Sequence, residues 1–320
     1  MTIEENIIIN RPNIKQSSLK TYIISLKNLR KSIDNKSDLD NTDFLKDYDK
    51  IIENIKNMKI TSKKNRITSI LVALSSDNKI DNELIDKYQK LLKKLNDEYN
   101  IFLKTQKKTE SQQKNWLDYE DLVMVFNEIM KNVKNNKITT KTTLNNEEFD
   151  LLQTLIILRT YLDYPLRNDF ADMKIINIKE YKKLDNNDEN NYLLLQNNNK
   201  KKFILNDFKN KKKIGKKILE ITPSLNKLIN IWLKYNKSGW FLVKKDRINP
   251  LNPNNITKYL NKIFYKRTGK KISSSLIRHI IISNLSKNEP TILEEEEKNN
   301  KIENKFLHSK TMNKLYRKID

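Results

Sequence analysis

The sequence predicts a mainly α fold with a small antiparallel β-sheet (α+β), split into a helical N-terminal domain and a larger C-terminal domain. Three observations predict it. Apolar residues recur at helical spacing from Ser17 to about Leu103. Thr105–Lys114 (TQKKTESQQK) then carries no apolar residue and no periodicity, as an exposed linker does. After it, short strand-like segments stand in series between helical patterns.

Residues 1–13 are expected as an N-terminal tail, 14–104 as the helical domain, 105–115 as the linker and 116–320 as the second domain. In Ser17–Ile33, Leu19, Tyr22, Ile23, Leu26 and Leu29 share one face behind a Ser17/Ser18 cap. A second amphipathic stretch follows Thr42, with Leu45, Tyr48, Ile52 and Ile55 aligned. A third runs through Ile67, Ile70, Leu71 and Leu74, and a fourth from Glu83 to about Leu103. Short connections between them suggest a bundle. In the second domain, helical pattern covers Tyr119–Val133 and Asn145–Leu162. Strands are expected at Lys174–Ile178, Asn191–Leu195, Phe203–Asn206 and Lys217–Thr222. Between the last two, Phe208–Lys216 is rich in lysine and holds Gly215, which suits a β-turn. Helices are expected again at Leu225–Tyr235, Asn255–Arg267 and Ser274–Ser286.

Composition narrows the function. The 320 residues carry 63 Lys plus Arg against 40 Asp plus Glu, a formal net charge of +23. Such a chain accumulates on polyanions, because neutralising phosphates releases condensed counterions. The sequence is also crowded with Lys, Asn and Ile, the residues of A/T-rich codons, so charge alone does not separate nucleic-acid binding from codon usage. The absence of cysteine excludes disulfides and thiolate metal sites. Three glycines cannot build a Gly-rich phosphate loop, which argues against a P-loop enzyme. No apolar run approaches about 20 residues. The opening MTIEENIIINRPN lacks a signal-peptide layout, so a soluble, intracellular protein is expected.

Four places carry chemistry-bearing side chains. Arg167, in YPLRNDF, follows a strongly apolar helix. It is either a surface residue at a helix end or a guanidinium held on a rigid element. Arg278 and His279, in SSSLIRHIIISNL, stand among Leu276, Ile277, Ile280, Ile281 and Leu285. They are an exposed pair on an amphipathic helix, or an arginine buried at a cost of several kcal/mol unless an anion or carboxylate is near. His308 is one of only two histidines, and Tyr316 one of 13 tyrosines, in FLHSKTMNKLY. Each alone reads equally as a structural residue.

Together, an arginine, a lysine-rich hairpin, Arg-His, a late histidine and a terminal tyrosine resemble, in order and spacing, the tyrosine recombinase (phage integrase) family. LHSKTMNKLY is similar to the family's Gly-His-Ser followed by the nucleophilic tyrosine, with Leu307 in the glycine's place. The opening RPNIKQSSLKTYIISLKNL resembles integrases of virophages, large DNA viruses and related mobile elements. The resemblance covers essentially the whole chain. It implies a core-binding N-terminal domain and a tyrosine-recombinase-like catalytic domain from about residue 116. It implies Arg167 and Arg278 as the two catalytic arginines, His308 at the late His/Trp position and Tyr316 as nucleophile. Lys209, in DFKNKKKIG, best matches the hairpin lysine, with Lys211 next. Two family positions differ. Ser275 stands where a histidine usually precedes the second arginine by three. Phe170 stands where an acid usually follows the first arginine by three, Asp169 being the nearest acid.

The chemistry explains these residue types. Two arginines grip non-bridging phosphate oxygens by bidentate bonds that strengthen as charge builds in the transition state. A tyrosine hydroxyl, of pKa ~10, becomes a nucleophile when cations lower its pKa or a base takes its proton. A hairpin lysine can protonate the departing 5′ oxygen. The resemblance implies a 3′-phosphotyrosyl intermediate, with no metal, cofactor, ATP or small-molecule substrate. The implied partner is double-stranded DNA, wherever in the cell the target lies: host nucleus, cytoplasmic virus factory or nucleoid. Only four residues follow Tyr316 (320 − 316), so little is available for exchange between protomers. A monomer or weak dimer is expected in solution, with tetramers on DNA. A type IB topoisomerase or telomere-resolving strand transferase shares this chemistry. A catalytically decayed DNA-binding protein is the alternative that Ser275 and Phe170 favour.

Overall fold

The computed structural model describes residues 1–185, 188–287, Tyr316 and Lys318. The chain divides into two compact units, Met1–Thr105 and Gln106–Asp320.

The first unit is helical: α1 (Ile3–Asn10), α2 (Gln16–Asp34), α3 (Tyr48–Ile55), α4 (Ile60–Leu74) and α5 (Asn82–Lys104). The expected tail is therefore corrected: most of residues 1–13 form α1. A reciprocal capping box starts it, Glu5 N donating to Thr2 Oγ1 at 3.3 Å and Thr2 N to Glu5 Oε2 at 2.8 Å. Ile3 and Ile7, one turn apart, are buried, while Ile8 and Ile9 are exposed. Apolar residues on both faces conceal the period. The Ser17/Ser18 cap of α2 is also corrected, because both serines lie inside the first turn and Lys15 occupies the cap without a side-chain bond. Leu19, Ile23, Leu26 and Leu29 face inward as expected. The stretch after Thr42 is two pieces, a 3-10 turn at Asp43–Leu45 and then α3, whose first turn is capped by Asp47 accepting from Lys50 N at 3.0 Å.

In the second unit, α6 (Glu110–Asn115) lies within the segment expected as linker, started by a Thr109/Gln112 capping box. Then come α7 (Tyr119–Asn135), α8 (Asn146–Asp163), β1 (Lys174–Asn177), α9 (Ile178–Tyr181), β2 (Tyr192–Leu195), β3 (Lys201–Leu205), α10 (Lys211–Ile214), β4 (Lys217–Glu220), α11 (Pro223–Tyr235), α12 (Pro253–Thr268) and α13 (Ser274–Lys287). The central element is α8. It buries Phe149, Leu152, Leu155, Ile156, Ile157, Leu158 and Tyr161, apolar on nearly every side, and packs against α7, α11 and α13. Asn145 and Glu148 cap its start. Its end follows from Pro165, which disfavours helical backbone at Tyr164.

The sheet runs β1-β2-β3-β4. It is mixed, which corrects the expected antiparallel sheet: β1 and β2 are parallel, and the other two pairs antiparallel. The reason is the connection. Residues 178–191 between β1 and β2 are long enough for a crossover, whereas β2 and β3 are joined by a tight turn. In that turn Asn198 and Asn199 take φ of 61° and 59°, the left-handed region that asparagine tolerates. The lysine-rich β3–β4 connection is a longer loop containing α10, not a β-turn; Gly215 ends α10 at φ 76°.

Candidate active site

Arg278 sits in the second turn of α13. Leu276, Ile277, Ile280, Ile281 and Ile282 are all buried around it, so the helix has almost no wet face there. The guanidinium is 5% exposed. One terminal nitrogen donates to the Leu166 carbonyl at 3.3 Å and the other to Tyr316 Oη at 3.1 Å. Its central carbon lies 5.2 Å from the Tyr316 ring centroid. Among the described residues its Nε has no partner. A buried cation with a donor unused is stable only beside counter-charge, and is preorganised to take an anion.

The loop leaving α8 supplies that charge. Arg167, next to Leu166, is half-buried, and makes no hydrogen bond or close ion pair among the described residues. Burial pushes the Asp169 carboxyl up to about 6, against the opposing pull of Arg167 and Arg278. Asp169 therefore feels both arginines. Phe170 faces the core instead, its ring 5.9 Å from Tyr161 and 5.2 Å from Phe203. Asn168 pins the loop. It accepts from Tyr161 Oη at 2.7 Å and donates to the Pro253 carbonyl at 2.5 Å and Thr257 Oγ1 at 3.1 Å.

Tyr316 is 8% exposed and belongs to the same core. His279 Nδ1 lies 2.9 Å from the Tyr316 carbonyl, and the two rings are 4.7 Å apart. A carbonyl only accepts, so Nδ1 carries the hydrogen. Burial holds the imidazole down to about 4, so it is neutral near pH 7. His279 thus holds the tyrosine backbone and adds no cation. One turn on, Ser283 Oγ accepts from Lys318 N at 2.8 Å. His279 and Ser283, spaced i and i+4, clasp the segment around Tyr316. Ser275 is exposed, one turn before Arg278. His308 lies outside the described residues.

Of the two lysine candidates, Lys209 is exposed and makes no hydrogen bond or ion pair among the described residues. Lys211 pairs with Glu189 at 3.0 Å. The structure thus brings Arg278, His279, Asp169 and Tyr316 together, with Arg167 beside the carbonyl that holds Arg278. Sequence reasoning missed Asn168, Ser283 and Asn191, a buried amide joining the Asp169 loop to the root of the lysine loop. In the sequence they are ordinary polar residues; only the tertiary partners distinguish them.

The chain is similar to solved structures of recombinases, among them the following two. The chain covers 98% of its own length and 80% of a XerH site-specific recombinase bound to its difH substrate in a pre-cleavage complex, at 13% identity and a TM-score of 0.55. The chain has the tyrosine recombinase fold. The other is a XerA recombinase, at 10% identity and a TM-score of 0.41, over 99% of this chain and 94% of that one. No family model and no curated protein matches the sequence. In this chain Arg167 lies on the α8–β1 loop and Arg278 on α13, with Tyr316 against α13.

Proposed function

We propose that this protein is a site-specific DNA recombinase of the integrase kind, cleaving and rejoining duplex DNA through a covalent bond to Tyr316. One observation carries the reading: the buried Arg278 guanidinium, 3.1 Å from the Tyr316 hydroxyl and with Nε unused, so that a phosphate gripped by the arginine lies next to the hydroxyl that attacks it. Arg167 and Arg278 bind the non-bridging oxygens and stabilise the charge of the pentavalent transition state. Tyr316 Oη, giving up its proton to solvent, attacks phosphorus, forming a 3′-phosphotyrosyl bond as the bond to the 5′ oxygen breaks. That oxygen takes its proton from a lysine of the β3–β4 loop, Lys209 before Lys211 because its amine is uncommitted. His308 is assigned the hydrogen bond to the phosphate that its family position implies. The phosphoester bond is exchanged, not hydrolysed, so ligation is the same step reversed.

We assign the strand exchange to the DNA of a mobile element, on the resemblance of the opening RPNIKQSSLKTYIISLKNL to integrases of such elements. Tetramers assemble on DNA from monomers or weak dimers. Sedimentation with and without duplex checks this, and a stable DNA-free tetramer contradicts it. A second reading, a DNA-binding protein without strand transfer, is favoured by the exposed Ser275 and the buried Phe170. Trapping separates the two. Nicked suicide duplexes carrying candidate element ends, incubated without metal, should leave an adduct that survives denaturation, and Tyr316→Phe should leave none. No adduct on DNA that the protein binds tightly would establish the second reading.

A further inference from the structure

Asn191 stands at the entry of β2 and is 9% exposed. Its side chain makes four hydrogen bonds, all to main-chain atoms. Oδ1 accepts from Asn206 N and Asp207 N, both at 2.9 Å. Nδ2 donates to the Asp207 carbonyl at 2.9 Å and to the Asp169 carbonyl at 3.2 Å. The two N–H donors and two carbonyl acceptors fix which way the amide points, and they use its whole capacity. Its own backbone is held as well, its carbonyl accepting from Lys174 N at 2.9 Å. Beside it, Asn206 Nδ2 donates to the Asn190 carbonyl at 2.9 Å.

The partners belong to two different segments. Asp169 lies two residues after Arg167, and its carboxyl feels the charge of both arginines. Asn206 and Asp207 are the root of the loop that carries Lys209 and Lys211–Lys213. The lysine loop leaves β3 at Leu205, so these three bonds determine the direction in which it departs. Beyond them the lysines are exposed or only half-buried. Their reach toward a phosphate is therefore set mainly at the root.

We propose that Asn191 is a positioning residue that holds the lysine loop in register with the Arg167–Asp169 loop, so that the general-acid lysine meets the same phosphate the arginines grip. This inference rests on the reading of Tyr316 as nucleophile. It holds whichever loop lysine is the acid. Removing the amide leaves the arginines and Tyr316 chemically intact and lets the acid drift. A displacement of about 1 Å can cost up to 10²-fold in rate, and general acids contribute roughly 10²- to 10⁴-fold.

The test separates protonation of the leaving group from every other step. In a duplex with a 5′-bridging phosphorothiolate, the phosphorus–sulfur bond breaks and sulfur departs as a thiolate, with no proton required. Cleavage rates of Asn191→Ala are measured on this duplex and on the ordinary phosphodiester. Asn191→Asp is measured alongside; it keeps the side-chain volume and the two acceptor bonds should Ala fail to fold. Asn191→Ala should cleave the phosphodiester roughly 10- to 100-fold more slowly than the unsubstituted protein. On the phosphorothiolate it should return to within about threefold, as should the variant of the acid lysine itself. Asn191→Asp should show the same pattern, its loss coming from the carboxylate oxygen that replaces Nδ2 against the Asp169 and Asp207 carbonyls. Equal losses on both duplexes would assign Asn191 a merely structural role, and no loss would remove it from the machinery; either result overturns the inference. If the unsubstituted protein cleaves neither duplex, the nucleophile assignment itself has failed.

Discussion

At the residue scale, two half-buried groups around the arginines titrate in opposite senses. Burial raises Asp169 from its ordinary 3.8 to about 6. Its contribution to stability is present below pH 3.8 and is lost as pH rises through about 6, because the folded state binds the extra proton. Burial lowers His279 from 6.5 to about 4. Its contribution is present above pH 6.5 and is lost as pH falls through about 4, because there the unfolded state binds the extra proton. The two slopes partly cancel between pH 4 and 6. Asp169→Asn should therefore leave the His279 slope alone, and Tm should rise more steeply with pH across that window than in the unsubstituted protein. His279→Gln should tilt the other way. Calorimetric Tm at half-unit pH steps reads both, and unchanged slopes would contradict the burial assigned to these groups. This scale also shows where sequence reading stops. The apolar neighbours of Arg278 left it as either an exposed residue or a buried cation, and only its place in the order of arginines, histidine and tyrosine singled it out. Whether Asp169 or Phe170 faces it depends on how a short loop turns after Pro165, which no periodicity encodes. The neutral, backbone-holding role of His279 depends on Tyr316, distant in sequence, and no local pattern carries it.

At the element scale, α8 and α13 bring the site together. The carbonyl of Leu166, in the loop that leaves α8, accepts from Arg278 of α13, and Tyr316 lies against α13. The precision of α8 is thus a condition for the arginines to meet. Leu155 is fully buried in the middle of α8, and Leu155→Ala should cost about 2–5 kcal/mol by denaturant unfolding, with strand cleavage falling as the protein unfolds. Asn145 caps the far end of the same helix, its side chain accepting from Glu148 N at 2.9 Å. Asn145→Ala should cost about 1 kcal/mol and leave covalent adduct formation unchanged at temperatures where the protein stays folded. Most helices were legible because a 3.6-residue period with a cap is a local signal. The direction of β1 relative to β2 was not. Strand direction follows from the length and path of the crossover through residues 178–191, and alternation of side chains is the same in parallel and antiparallel strands. Residues 110–115 were read as linker because a short helix built of Glu, Ser, Gln, Lys and Asn has no apolar face to announce it.

At the scale of the whole molecule, the open question raised by composition is whether a net charge of +23 reflects a binding surface or codon usage. Thermodynamics distinguishes them. Lysines placed by codon drift are scattered, and only a few would meet one duplex. Cations arranged to follow a backbone neutralise several phosphates at once. Each such phosphate releases condensed counterions and adds about 0.9 to the slope of log affinity against log salt. A duplex bound through six to ten phosphates should lose roughly 10³- to 10⁵-fold in affinity between 50 and 200 mM salt. The protein should fall in that range on its preferred duplex, measured with Tyr316→Phe so that covalent capture does not hold the complex together. Arg278→Ala in that background should weaken binding and lower the slope by about one, since under the proposed function its guanidinium would meet a single phosphate. A slope equivalent to one or two phosphates would attribute most of the lysines to codon usage. It would also leave the arginine–tyrosine cluster without a surface able to deliver DNA to it.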